Sequence, residues 1–284
     1  MSGNRPVSER NRVQYEHGRA VNKTKRPQEG TGEGIITPER VLHFRKTGFL
    51  VVRDLFPPEQ TRRIRSWTDE LQRWPEVAGK YMKYFEHSTT QPDTRLLNRV
   101  ENFVPFHEGF RDLVNDTRLL TSAARLMGDA VVLFKDKINF KLPGGGGFAP
   151  HQDAQAGWRH YASVHLTALV SIDRATVRNG CLELAAGHHE QGLIGEEWAP
   201  LSDAETDGMC FEPVQTKPGD AVFFDSFTPH RSAPNHTSES RRVLYISYNR
   251  RSDGDCRVRY YADKRRNYPP DIEREQGRVY RFRV

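Results

Sequence analysis

Long apolar runs are missing from this 284-residue chain. No stretch approaches the ~20 apolar residues that a bilayer-spanning helix requires, so no membrane partner is expected. Residues Met1 to Gly32 hold no apolar run either, and no secretory signal is expected there. Cysteine is scarce. Cys181, Cys210 and Cys256 show no paired spacing, which argues against a disulfide framework and for free thiols in the cytoplasm. Blocks of one charge are absent as well. The formal net charge is +6, but acidic residues interleave with the basic clusters at Arg62-Arg63, Arg250-Arg251 and Lys264-Arg265-Arg266. Nothing resembles a nucleic-acid-binding arm. A mild positive field of this kind draws small anions towards a cleft.

Hydrophobic residues make up 36% of the chain and charged residues 28%, enough apolar material for one large core. Residues 1–36 lack periodicity and are expected to form a flexible tail. Residues 37–284 are expected to form a single domain. Thr37-Pro38-Glu39-Arg40 predicts a helix start, with Thr37 as cap and Pro38 in the first position. Phe49-Leu50-Val51 predicts a strand. Pro57-Pro58 opens a second helix, whose Ile64, Trp67 and Leu71 recur at helical spacing. A third helix is expected over residues 110–127. From Val131 onward the pattern changes to strands and turns. Residues 136–141 alternate, residues 142–147 form a glycine-rich turn, and residues 162–173, 219–225 and 242–248 read as strands. Helices followed by a strand series predict an α+β fold with a β-sandwich or jelly roll at its centre.

One tripeptide carries chemistry: His151-Gln152-Asp153, taken with His230 and Arg241. Side chains two apart on an extended strand point to one side, so His151 and Asp153 can reach one metal. His230 completes two imidazoles and one carboxylate, a set that suits non-haem Fe(II) and leaves positions open for co-substrate and O2. Arg241 supplies a planar guanidinium suited to a carboxylate, as a keto-acid co-substrate would present. His-x-Asp alone is a weak signal. Its setting strengthens it, because each proposed ligand falls at the edge of a predicted strand. His188-His189 follow Gly187 and are expected in a turn, unable to share one ion.

The motifs together carry a resemblance. His151-Gln152-Asp153, Asn179-Gly180-Cys181-Leu182-Glu183, Gly187-His188-His189, Lys217-Pro218-Gly219-Asp220 and His230-Arg231-Ser232-Ala233-Pro234-Asn235 resemble the phytanoyl-CoA dioxygenase family of Fe(II)- and 2-oxoglutarate-dependent oxygenases. The likeness runs from about Thr37 to the C-terminus and implies a double-stranded β-helix with iron at its open end. Arg241, eleven residues after His230, matches the family's placing of its keto-acid arginine. It implies that Arg242, its neighbour, faces the other way as an exposed charge. Asp153 separates the chain from related halogenating enzymes, which lack the carboxylate. Residues 99–103, 137–145 and 260–271 resemble the branch that includes 2-aminoethylphosphonate dioxygenase, and that resemblance implies a small, polar, phosphorus-bearing substrate.

Further site candidates follow. Ser232 shares a face with His230 and is a candidate donor to the 2-oxoglutarate carboxylate, with Asn139 and Thr167 on neighbouring strands. Lys137 and Arg99 are candidates for an anionic head group and Glu101 for a cationic one. Asn102 and Gln155 are further polar candidates, while Trp158 and Tyr84 are candidate walls. The expected reaction is hydroxylation with release of succinate and CO2. Desaturation, epoxidation or ring closure would use the same iron chemistry. A non-catalytic jelly-roll binding module is the alternative class, though a passive sensor has no chemical need for the triad and Arg241 together.

Overall fold

Two antiparallel sheets form the centre of the structure, a computed structural model that describes residues 34–280. The tail expected over residues 1–36 lies outside the described residues as far as residue 33. Ile36, which it included, is buried in the core, so ordered packing begins before Thr37.

The N-terminal part runs α1 (Pro38–Thr47), β1 (Phe49–Val52), α2 (Pro58–Arg73), β2 (Met82–His87), β3 (Arg95–Glu101), α3 (Glu108–Val114) and α4 (Thr117–Met127). It continues through β4 (Val131–Lys141), β5 (Phe148–His151), β6 (His165–Ser171), β7 (Leu182–Ala185), the short α5 (Asp203–Thr206) and β8 (Phe211–Val214). It ends with β9 (Ala221–Asp225), β10 (His230–Ser232), β11 (Arg241–Arg250) and α6 (Arg257–Asn267). The larger sheet has the order β1-β9-β6-β11-β4-β3-β2, and the smaller one β5-β10-β7-β8.

The local signals explain most boundaries. Thr37 caps α1 by accepting the Arg40 amide at 3.4 Å, and Gly48 ends it in the left-handed conformation. The single helix expected over residues 110–127 is two. Asp116 accepts the Arg118 amide at 2.9 Å and starts α4 afresh, because a short acceptor side chain competes with helical bonding. Two strands, β2 and β3, precede the point where the sheet series was expected to begin. Two helices, the short α5 and the longer α6, follow it.

The larger sheet is buried on both faces, and alternation assigns each side chain. Along β11, Leu244 and Ile246 join Ile64, Leu71, Phe110 and Leu119 in the core beneath the helices. Val243 and Tyr245 turn the other way and pack with Leu169, Val222 and Phe224 against Leu182 and Leu184 of the smaller sheet. A fully buried aliphatic or Phe side chain contributes ~1.5–3 kcal/mol, so both interfaces are held firmly. The second face is apolar only at its β9–β6 side. Towards β4 and β3 it becomes polar, and the candidate site lies there.

Candidate active site

His151 and His230 face each other as a cross-strand pair between β5 and β10. Their rings lie 4.2 Å apart between centroids. Each is oriented by its own backbone. Nδ1 of His151 is 2.7 Å from the Ala149 carbonyl, and Nδ1 of His230 is 3.0 Å from that of Thr228. A carbonyl accepts only, so Nδ1 is the protonated nitrogen and Nε2 keeps its lone pair, the arrangement of a metal-binding imidazole.

Asp153 stands just past β5, at the start of a short 3₁₀ turn. The backbone stays extended through Gln152, which preserves the two-residue relation with His151. Gln152 points the opposite way and is fully buried. Its amide nitrogen donates to the Gly192 carbonyl at 2.8 Å and the Phe227 carbonyl at 2.6 Å, and its oxygen accepts from the Ile194 amide at 2.7 Å. The central residue of the motif therefore ties together the loops that shape the site. Asp153 Oδ2 accepts from Thr167 Oγ1 at 3.1 Å, and Thr167 bonds Ser247 at 2.9 Å.

One ligand atom from each of His151, Asp153 and His230 lies within 4.8 Å of the others. Burial, then the neighbouring His230, pushes the His151 imidazole down to about 3. Burial also lowers His230. Burial alone would raise the Asp153 carboxyl, but His230, Lys137 and His151 hold it below its ordinary value. Two neutral imidazoles and one carboxylate are thus available at neutral pH, a donor set that fits a divalent iron.

Arg241 opens β11 opposite Lys141 of β4. It is 1% exposed, and none of its guanidinium nitrogens has a hydrogen-bond acceptor among the described residues. Such a group in the interior is costly unless an anion joins it. Beside it, Lys141 Nζ donates to Ser232 Oγ at 2.7 Å and to the Ala233 carbonyl. Burial, then Arg241, pushes the Lys141 ammonium down to about 7. Gly180 permits this approach: its φ is +74°, and a Cβ there would press into the Ala233 carbonyl. Arg242 departs from the expectation of an exposed charge. It is buried and forked onto Asp173, with Nε at 2.7 Å and a terminal nitrogen at 3.1 Å, and also meets Asp69. The turn to the other face is as expected, but helix α2 covers that face.

The remaining candidates divide. Asn139 is buried on the inner face, its amide oxygen without a hydrogen-bond partner among the described residues. Lys137 lies between Glu101 and Tyr245 in the strand register. Arg99 Nε donates to Glu101 Oε1 at 2.7 Å. Trp158 and Tyr84 pack in one aromatic cluster with Phe134, Tyr260 and Tyr261. Gln155 does not reach the site as a free group. Its oxygen accepts from the Gln152 amide at 2.8 Å, and its nitrogen donates to the Glu196 and Ala199 carbonyls. Asn102 is also occupied: in a left-handed conformation, it accepts from Arg257 at 2.9 Å. His188 and His189 occupy a 3₁₀ turn after Gly187, as expected.

Sequence reasoning missed Lys135, Lys141, Ser247 and Lys264. The first two share a signal that was available: Lys135, Lys137, Asn139 and Lys141 recur every second residue along β4. Lys264 gave none, because α6 is charged around most of its circumference and buries only Tyr260 and Tyr261.

Comparison with known proteins agrees with this geometry. Residues 44–243 match the phytanoyl-CoA dioxygenase (PhyH) family. The chain is 40% identical to a 2-aminoethylphosphonate dioxygenase from uncultured bacterium HF130_AEPn_1, over 86% of this chain and 93% of the relative. It is 38% identical to a methylphosphonate hydroxylase of Gimesia maris, over 82% and 88%. Among solved structures, EctD from S. alaskensis with 2-oxoglutarate and 5-hydroxyectoine superposes with a TM-score of 0.67 at 21% identity, covering 79% of this chain and 80% of that one. That likeness supports the jelly-roll fold. No described helix is long and apolar enough to cross a membrane. With the family matched over most of its length, the chain belongs to the phytanoyl-CoA dioxygenase family of Fe(II)- and 2-oxoglutarate-dependent oxygenases.

Proposed function

We propose that this chain hydroxylates a small anionic metabolite, a phosphonate in the first instance, with Fe(II), 2-oxoglutarate and O2, releasing succinate and CO2. It acts in the cytoplasm, through residues 37–284 as one catalytic domain. The substrate class rests on the relatives named for 2-aminoethylphosphonate and methylphosphonate. One observation carries the reading: two neutral imidazoles and a carboxylate converge while a buried guanidinium on the larger sheet has no anion of its own.

His151, Asp153 and His230 would hold the iron, each imidazole offering the Nε2 that its Nδ1 hydrogen bond leaves free. When bound, iron and keto acid together supply the oxidant that inserts oxygen into a C–H bond. The chain's own groups orient the partners. Arg241 pairs with the distal carboxylate of 2-oxoglutarate, Lys141 and Ser232 support it, and Asn139 adds a polar contact from β4. Thr167 fixes the Asp153 carboxylate by donating to Oδ2, which would orient the group to hold iron. Phe224 packs 5.0 Å from His230 and 6.5 Å from Tyr245 between ring centroids, so these two rings would shield the metal ligands from water.

The test is anaerobic addition of Fe(II) and 2-oxoglutarate, which should produce a weak visible charge-transfer band that shifts with substrate. Asp153→Ala should abolish both the band and succinate formation. Undiminished succinate release by that variant would refute the ligand assignment. Normal binding of iron and keto acid without O2 uptake on any phosphonate would favour a binding module instead.

A further inference from the structure

Four cations and one carboxylate crowd together where β3, β4 and α6 meet. Glu101 has a side chain only 1% exposed. Three cations close on it: Arg99 Nε at 2.7 Å, Lys264 Nζ at 2.7 Å and Lys135 Nζ at 3.7 Å. Their side chains are 8%, 12% and 9% exposed. The fourth, Lys137, faces Glu101 in the strand register and makes no ion pair among the described residues. Its ammonium lies 4.5 Å from the centre of the Tyr245 ring.

Glu101, with Asp153 acting from farther off on Lys135 and Lys137, cannot balance four cations. Buried positive charge in excess costs several kcal/mol unless an anion joins it. The strain is visible: burial, then Lys135, pushes Lys137 down to about 8, and burial lowers Lys264 well below the usual lysine range. Trp158 closes the other side. Lys135 Nζ lies 5.4 Å from its ring, and its buried Nε1 has no hydrogen-bond partner among the described residues.

We infer that Lys135, Lys137 and Lys264, held apart and in place by Glu101, form the site for the dianionic phosphonate head of the substrate. Glu101 is then a positioning residue and not the ligand of a substrate ammonium group. The inference rests on the phosphonate oxygenase reading and assigns its recognition residues. Three ammonium groups match the three oxygens of a phosphonate in number and sign. The placement also suits a short substrate. Lys135 faces Ser247, and Ser247 faces Thr167, the partner of Asp153. Two inter-strand steps span ~10 Å. A head group gripped by the lysine tips therefore leaves one or two carbons pointing at the triad.

The experiment is calorimetric titration of the protein with methylphosphonate and, separately, 2-aminoethylphosphonate, metal-free and with Fe(II) and 2-oxoglutarate under anaerobic conditions. Lys137→Met and Lys264→Met should each weaken both ligands about tenfold or more, the loss of one charge-assisted hydrogen bond. Glu101→Gln should weaken both by a common factor, because the lysines lose their anchor. Lys137 makes no ion pair, so Lys137→Met carries the test if the Lys264 variant fails to fold. Binding within about twofold of wild type in a folded lysine variant would overturn the inference. So would a Glu101→Gln loss confined to the amine-bearing ligand, or wild-type protein that binds neither phosphonate. The charge-transfer band of the wild-type protein tests the oxygenase reading by itself, so the two ideas fail separately.

Discussion

Arg241 and Arg242 are neighbours on one strand, and replacing each by Met should produce opposite results. Arg241 is 1% exposed and has no acceptor for its guanidinium among the described residues. Its removal deletes an unbalanced buried charge and should leave the ligand-free melting temperature unchanged or raised. The keto acid, however, loses two charge-assisted hydrogen bonds of ~1.5–3 kcal/mol each, so its affinity should fall roughly 10²- to 10⁴-fold. Arg242 is already paired with Asp173 and Asp69. Breaking that buried pair leaves the buried Asp173 with only Arg65 at 3.5 Å and costs about 3 kcal/mol, roughly 10 °C for a domain of this size. The assay is thermal melting with and without Fe(II) and 2-oxoglutarate under anaerobic conditions. Arg241→Met should melt normally and gain nothing from 2-oxoglutarate. Arg242→Met should melt early and, while folded, still be stabilised by it. If Arg241→Met melts as early as Arg242→Met and still responds to 2-oxoglutarate, Arg241 is a structural residue and the co-substrate assignment is wrong.

Three other outcomes follow from the same geometry. Burial pushes the His165 imidazole down to about 3, so the folded state keeps it neutral while the unfolded chain protonates it below about 6.5. Its contribution is complete above that pH and is lost towards pH 3 at ~1.4 kcal/mol per pH unit; His165→Phe should flatten the acid limb of a melting-temperature profile by one proton, and an unchanged slope would contradict this. Gly180→Ala should lower both stability and 2-oxoglutarate affinity, because its Cβ would displace the Ala233 carbonyl and sit 2.9 Å from Lys141 Nζ; a variant that melts and binds like wild type would exclude the close approach. With Lys141 pushed down to about 7, 2-oxoglutarate binding at pH 8 should take up about one proton, read by calorimetry in buffers of different ionisation enthalpy. Uptake should vanish at pH 6, and equal values at both pH values would refute the assignment.

The His151 and Asp153 half of the triad was legible because its signal was local, while His230 was read from the strand edge on which it sits. His151 and Asp153 needed only extended backbone between them, and Gln152 provides it. The helix starts at Thr37 and Pro58 were legible for the same reason, since caps are set by one or two residues. What failed was information held by tertiary contacts. Arg242 reads as a surface charge until Asp69 of α2 is seen to lie over it. Gln155 reads as a free polar group until the Glu196 and Ala199 carbonyls approach it. Lys264 belongs to a helix whose sequence looks solvated, and only the meeting of Tyr260 and Tyr261 with the β2–β4 end of the sheet turns it inward. Residues 110–127 were apolar enough for one helix. The break came from the Asp116 side chain, whose capping bond outcompetes a continued helical turn.

The net charge of +6 first looks like a surface property, and it sent the reading towards small anions by way of a diffuse field. The structure relocates part of it. Arg99, Lys135, Lys137, Lys141, Arg241 and Lys264 all line the polar face of the larger sheet or its rim, against the carboxylates of Glu101 and Asp153. These six cations outnumber the carboxylates that act on them, Glu101, Asp153, Glu86 and Glu183, and burial in low dielectric makes each charge act more strongly than it would in water. Burial first, and then Lys135 and Arg241 respectively, lower Lys137 and Lys141. Two dianions, a keto acid near Arg241 and a phosphonate near Glu101, would each meet a separate part of this excess. The cations fall into two groups along β4 and its neighbours, with Lys141 and its cross-strand partner Arg241 at the end of the strand and Lys137 and Lys135 near its middle. A single anionic ligand could not span both groups and still leave the triad open. The charge pattern therefore argues for two anions bound at once, the phosphonate on the side of the sheet where Thr167 holds Asp153 and the keto acid beside Arg241.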